Sequence, residues 1–168
     1  MSTQDKPSVL FVCTANRFRS PIAEAIFRKL LRERGIEKDW LVGSAGSWAK
    51  DGLSPVPSAA WMLDHLGLDL SIHQSRSVSR ELVAQYHLVL VMEKNQKEAL
   101  QIEFPELNQR VFMLTEICCG PVVDIPDPVS QPEEVCLSVA WEIIHLIENC
   151  FQEIILRAST DQTTSGEP

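Results

Sequence analysis

In "FVCTANRFRSPIAEA", residues 11–25, Cys13 and Arg19 are separated by five residues, at the point where an apolar run ends and a helical pattern begins. A loop of that length curls so that successive backbone N–H groups converge on one centre. Such a nest, feeding a helix N-terminus, holds a tetrahedral oxyanion such as phosphate. Arg19 adds a bidentate, charge-assisted grip. The same positive field favours thiolate over thiol at Cys13. A thiolate beneath a bound phosphoryl group is placed for in-line attack, giving a cysteinyl-phosphate. A cysteine closing a buried strand is also an ordinary small apolar residue. The pattern therefore draws its meaning from its setting between strand and helix, with Ser20 read as the N-cap and Pro21 as the first helical position. Ser20 is also placed to hydrogen-bond the sulfur.

A leaving alkoxide or phenoxide needs a proton, which a carboxylic acid on another loop supplies. The segment "VVDIPDPVSQP", residues 122–132, offers Asp127, pinned between Pro126 and Pro128. Asp124 competes three residues earlier, and Asp-Pro pairs are also ordinary turn formers.

The elements that must position these groups are legible. Apolar runs of strand length occur at "SVLFVCT", "WLVGSAG", "HLVLVM" and "RVFMLT". The first, third and fourth are near-continuously apolar, as strands covered on both faces are. Helical patterns alternate with them: "SPIAEAIFRKLLRERG" with Gly35 as its stop, then "PSAAWMLDHLG", "SRELVAQY", "KNQKEALQ" and a long final helix entered near Pro132. The alternation predicts an α/β fold, a three-layer, doubly wound, four-stranded parallel sheet with helices on both faces. Ligands of such folds sit beyond the carboxyl ends of the strands. Cys13 and the loop after the fourth strand both fall there.

A chain of 168 residues, 45% hydrophobic, suits a single domain, expected over residues 8–157, with a loose lead-in at 1–7 and a disordered tail at 158–168. A formal net charge of −8 argues against nucleic acid as a partner. No apolar run reaches the roughly 20 residues of a membrane span, so a cytoplasmic protein without membrane insertion is expected. The five cysteines lack framework spacing and read as free thiols, with Cys118 and Cys119 simply packed. His65, His87 and His145 show no metal-ligand spacing, and no metal or cofactor is expected, because the loop and Arg19 offset the phosphate charge. Trp61 and Trp141 read as core.

With these residues in hand, the chain resembles the low-molecular-weight protein tyrosine phosphatases, particularly the bacterial ones. "VCTANRFRSPIAEAIF" is similar to that family's phosphate loop and first helix, "SAGS" at 44–47 to the end of its second strand, and "IHQSR" at 72–76 to its His-x-x-Arg stretch. "VMEKN" at 91–95 and "DIPDP" at 124–128 resemble its Met-Asp-x-x-Asn stretch and its acid loop. The resemblance implies Cys13 as nucleophile, Arg19 as phosphate clamp and Asp127 as general acid and then base. Thr14, Ala15, Asn16, Arg17, Phe18, Arg19 and Ser20 form the phosphate-binding loop. Ser20 assists the sulfur as leaving group, and Asn16, Ser44 and His73 prop the loop. Asn16 also fits a position with positive φ. Trp48 and Arg17 are placed at the substrate cleft. The implied partner is a tyrosine-phosphorylated protein, a bacterial tyrosine kinase among the candidates, and the implied state a monomer or weak dimer.

Four departures stand out. The second loop cysteine of the family is Phe18 here, so its protective disulfide is absent. The loop glycine is Ala15, acceptable only at negative φ. Arg17 replaces a small aliphatic residue or Thr, and Val129 and Ser130 stand where aromatic residues grip phosphotyrosine. Phosphoarginine phosphatases and arsenate reductases share the scaffold. Arsenate reduction needs two further cysteines on a mobile segment, and residues 75–95 contain none. A phosphate-binding module without turnover is the non-enzymatic alternative.

Overall fold

The near-continuous apolar runs become strands because each face of the sheet is covered, and alternate side chains serve opposite faces. A computed structural model describes residues 6–159. It contains β1 (Ser8–Cys13), β2 (Leu41–Gly46), β3 (Leu88–Val91) and β4 (Val111–Met113). All pairings are parallel, in the order β2-β1-β3-β4. Val9, Phe11, Leu88 and Leu90 enter one core, whereas Leu10, Val12, Val89 and Val91 enter the other. The expected three-layer α/β sheet is the observed one.

The first core is closed by α1 (Arg19–Glu33), α2 (Pro57–His65) and α6 (Glu133–Ser159). Phe27 of α1 meets Phe11, Trp40 and Phe151 at ring-centroid distances of 5.8, 5.5 and 5.3 Å, in edge-on and tilted arrangements that aromatic rings favour. The second core is closed by α3 (Arg80–Val83) and α4 (Lys94–Glu103). A short α5 (Leu114–Ile117) leads from β4 into the proline-rich segment. Gly35 takes φ +70° just past α1, the left-handed stop its position predicts.

Several expectations are corrected. Helix α1 begins at Arg19 with Phe18 at its cap position, not at Ser20. Ser20 is drawn inside the first turn, where its hydroxyl faces Cys13 instead of capping. Trp61 and Trp141 are half-exposed, because α2 turns Ala59, Met62 and Leu63 inward and α6 turns Ala140, Ile143, Ile144 and Ile147 inward. Each indole instead meets the histidine one turn on, Trp61 with His65 and Trp141 with His145. Cys118 and Cys150 form a disulfide: the end of α5 packs on α6 and brings their Cα atoms to 5.4 Å, within the reach of such a bond. Cys13, Cys119 and Cys136 stay free. Of the expected lead-in, residues 1–5 lie outside the described residues. Of the expected tail, 160–168 do so, while Ala158 and Ser159 complete α6, with Ala158 buried.

Candidate active site

At the carboxyl end of the sheet, β1 delivers Cys13 and the chain turns through residues 14–18 into α1. Asn16 makes this turn possible. It takes φ +56°, a conformation that Asn tolerates better than most residues. Ala15 does not share it, so the missing loop glycine costs no left-handed strain. Each polar group of Asn16 is used. Its N–H donates to Cys13 Sγ at 3.3 Å and its Nδ2 donates to Ser20 Oγ at 2.8 Å. Its Oδ1 accepts the Arg76 N–H at 3.0 Å, and its carbonyl accepts from His73 Nε2 at 2.8 Å.

Cys13 is buried, with its sulfur 3.0 Å from Ser20 Oγ. That hydroxyl also lies 3.3 Å from Ala45 O, so its one proton serves either the carbonyl or the sulfur. The loop after β2 braces the turn: Ser47 N–H donates to Cys13 O and Trp48 N–H to Thr14 O, at 2.8 and 3.0 Å. Gly46 is required at this crossing, since a side chain there would collide with the Thr14 carbonyl.

Arg19 is 1% exposed and held from several elements. Its Nη1 donates to Glu93, at the start of α4, and to Ile125 O at 2.8 Å. Its Nη2 lies 3.3 Å from Thr14 Oγ1 and 3.5 Å from Asp127 Oδ2. Gln96 extends the same lattice, donating to Thr14 Oγ1 at 3.0 Å and to Glu93 at 3.2 Å. A guanidinium so fixed presents its fork in one direction, which is what recognition of a planar or tetrahedral anion needs.

The two competing aspartates separate cleanly. Asp124 Oδ1 accepts the Lys94 N–H at 2.8 Å and ties its loop to α4. Asp127 turns toward Arg19, its other oxygen accepting the Val129 N–H at 3.1 Å. The loop is registered by Ile125 N–H on Met92 O at 2.9 Å and by Thr115 Oγ1 on Val123 O at 2.8 Å.

Not every expected residue is brought to the loop. Ser44 Oγ donates to Glu24 of α1 at 2.6 Å, not to the loop. Ser44 reaches the loop only at one remove, through its carbonyl, which accepts from Arg76 Nε at 2.9 Å. Arg17 turns sideways, its Nε donating to Ser54 O at 2.7 Å, so it braces the neighbouring loop. Phe18 is buried in the first core. The Trp48 indole is 86% exposed above the loop after β2. Arg76 and Glu93 lie in stretches that carry the resemblance, but no role was assigned to them or to Gln96 from sequence. The signal for Glu93 and Gln96 was a carboxylate at the end of β3 with a glutamine three residues on, a capping-box spacing that the structure bears out.

Chemically, the arrangement offers a buried sulfur that accepts the Asn16 N–H, an immobilised guanidinium in the same loop and an exposed carboxyl group 3.5 Å from that guanidinium. Among the described residues no group of three or more His, Cys, Asp or Glu is arranged to hold a metal ion, and no helix is long and apolar enough to cross a membrane.

A family model described as low molecular weight phosphotyrosine protein phosphatase matches residues 8–162. The low molecular weight phosphotyrosine protein phosphatase of Sus scrofa is 38% identical over 97 residues, a match that spans 56% of this chain and 60% of that protein. The protein-arginine-phosphatase of Bacillus subtilis is 29% identical over 148 residues, 87% of this chain and 95% of that one. The crystal structure of a low molecular weight protein tyrosine phosphatase from T. tengcongensis superposes with a TM-score of 0.81 at 35% identity, covering 87% of this chain and 98% of that one.

Proposed function

From the premise that the chain belongs to the low molecular weight phosphotyrosine protein phosphatase family, we propose that it hydrolyses phosphotyrosine in proteins through a cysteinyl-phosphate. The reading rests on one observation above the others: Cys13 Sγ lies 3.0 Å from Ser20 Oγ beneath a loop whose buried Arg19 is 3.5 Å from Asp127. The Cys13 thiolate attacks phosphorus as the phosphorus–oxygen ester bond breaks. Asp127 gives its proton to the departing phenolic oxygen. The Asp127 carboxylate then takes a proton from water, which attacks phosphorus and breaks the sulfur–phosphorus bond, while the Ser20 hydroxyl turns from Ala45 O to the leaving sulfur. Arg19 and the loop N–H groups hold the three equatorial oxygens as charge builds on them. Asn16, His73 and Arg76 position the loop, and Glu93 and Gln96 position Arg19. The partner is a tyrosine-phosphorylated protein of the cytoplasm.

Hydrolysis of an aryl phosphate by the purified protein and by Cys13→Ser tests the proposal. Turnover by the wild type that falls by about 10⁴-fold or more in the variant is expected; turnover that survives the substitution overturns it.

The long match to the Bacillus subtilis protein-arginine-phosphatase supports a second reading, phosphoarginine hydrolysis by the same loop. A pair of peptides differing only in phosphotyrosine or phosphoarginine separates the two, and we expect the phosphotyrosine peptide to turn over faster.

A further inference from the structure

Beside the site, between α2 and the turn that follows Asp127, lies a groove of about 440 Å³ that the proposed chemistry does not use. Val56, Pro57 and Trp61 form one wall, Val129 and Cys136 the other, and Glu133 stands at the rim. Its size is that of a small-ligand or side-chain pocket. Both walls start one hydrogen bond from the site. The Val56 N–H donates to Arg17 O of the phosphate loop at 3.0 Å, and the Val129 N–H donates to Asp127 Oδ1 at 3.1 Å. The groove therefore adjoins both the phosphate loop and the loop that carries Asp127.

The second wall is held in a demanding conformation. Gln131 N–H donates to Pro128 O at 2.9 Å, closing a turn in which Ser130 takes φ +73° at a position normally given to glycine. Cys136 Sγ, 3.3 Å from Pro128 O, fastens the turn to α6. Strain of this kind persists where surrounding structure over-determines it, as at ligand clamps. Trp61 is half-exposed on the facing helix, large enough to cover an incoming side chain. The aromatic residues that the family places after its acid loop are Val129 and Ser130 here, and an aromatic surface stands across the groove instead.

We propose that this groove is a specificity pocket that seats an apolar side chain of the substrate protein, close in sequence to its phosphotyrosine. The proposal rests on the phosphatase reading above and assigns Trp61 and Val129 as specificity-determining residues. Burying a leucine-sized side chain against them favours such substrates, and the Glu133 carboxylate at the rim disfavours acidic ones.

The test is a panel of phosphotyrosine peptides with Leu, Ala or Asp placed in turn at each of the three positions on either side of the phosphotyrosine, with para-nitrophenyl phosphate as a substrate too small to reach the groove. For the wild type, kcat/KM should favour Leu over Ala by about tenfold at one position or more, with Asp below Ala. Trp61→Ala should bring the Leu-to-Ala ratio to within about twofold of unity while para-nitrophenyl phosphate turnover stays unchanged. Trp61→Gln, which keeps a good helix former and exposed bulk, should do the same and guards against a folding defect in the first variant. Equal turnover of all peptides by the wild type, or a preference that survives in both variants, overturns the pocket. Absence of para-nitrophenyl phosphate hydrolysis by the wild type overturns instead the phosphatase reading on which the pocket depends.

Discussion

The loop from Cys13 to Ser20 and the loop from Cys119 to Gln131 face each other across the site but are held by different means. In the first, Asn16, Arg19 and Ser20 are buried and bound to strand ends and loops from several parts of the chain. In the second, Asp124 and Asp127 are exposed, and fixation comes from prolines, a few backbone anchors and a disulfide at its root. The contrast matches the work proposed for each. A cup that stabilises developing charge must be set before substrate arrives, because reorganising dipoles during reaction raises the barrier. A carboxyl group that gives and then takes a proton needs access to water in the second step.

The largest test of this contrast removes the exposed partner. Asp127→Ala should lower kcat for aryl phosphates with poor leaving groups by about 10²–10⁴-fold and leave good leaving groups far less affected, since only the former need the proton. Asp124→Ala should fall well short of that; if it does the greater damage, the division of roles between the two aspartates is wrong. On the buried side, Asn16→Ala strips two side-chain hydrogen bonds and puts a less tolerant residue at φ +56°. Urea unfolding should show a loss of about 2–4 kcal/mol, and vanadate affinity should drop with it.

A smaller effect is expected at the root of the second loop. The Cys118–Cys150 bridge spans 32 residues that include Asp127. Cys118→Ser should lower stability by roughly 2–3 kcal/mol and slow leaving-group-dependent turnover, while vanadate affinity stays at the wild-type value. Thiol titration of the denatured, unreduced protein should find three free cysteines, and a count of five would remove the bridge from the comparison. The smallest effect concerns Glu116 of α5. Burial pushes its carboxyl up, but hydrogen bonds from Lys97 Nζ and the Met113 N–H, with the charges of Lys97 and Arg157, outweigh it and hold it below the usual range. A lowered folded value means that this stabilisation is complete above the ordinary carboxylate range and drains away as pH falls through the folded value. Glu116→Gln should therefore lower stability above the ordinary carboxylate range and flatten the acid limb of the stability profile, the difference from wild type shrinking as pH falls through the folded value.

The legibility of the two loops differed as their construction does. Cys13, Arg19 and Asn16 lie within one stretch whose strand-to-helix setting is visible in local periodicity, and a parallel sheet covered on both faces follows from strands too apolar to face water, whereas the order β2-β1-β3-β4 came only from the structure. Ser20 was misread as a cap because a cap and a buried hydroxyl ligand to sulfur are the same residue at the same place until the helix start is known. Trp61 and Trp141 were misread because apolar neighbours at helical spacing do not say which arc of the helix turns inward. Cys118 and Cys150 carry no spacing signal, since the bridge depends on how α5 docks on α6.

The sequence by itself determined the alternation of strands and helices and the strand-to-helix turn after β1 with Cys13 and Arg19 at its two ends. These are local matters of propensity, period and charge. Only the tertiary structure decided that Asp127 rather than Asp124 faces Arg19, that Glu93 and Ile125 hold that arginine, and that Trp61 and Val129 enclose a groove. Arg19 and Ile125 are 106 residues apart in the chain. A contact across that separation is fixed by how the layers pack, and no short-range pattern in the chain encodes it.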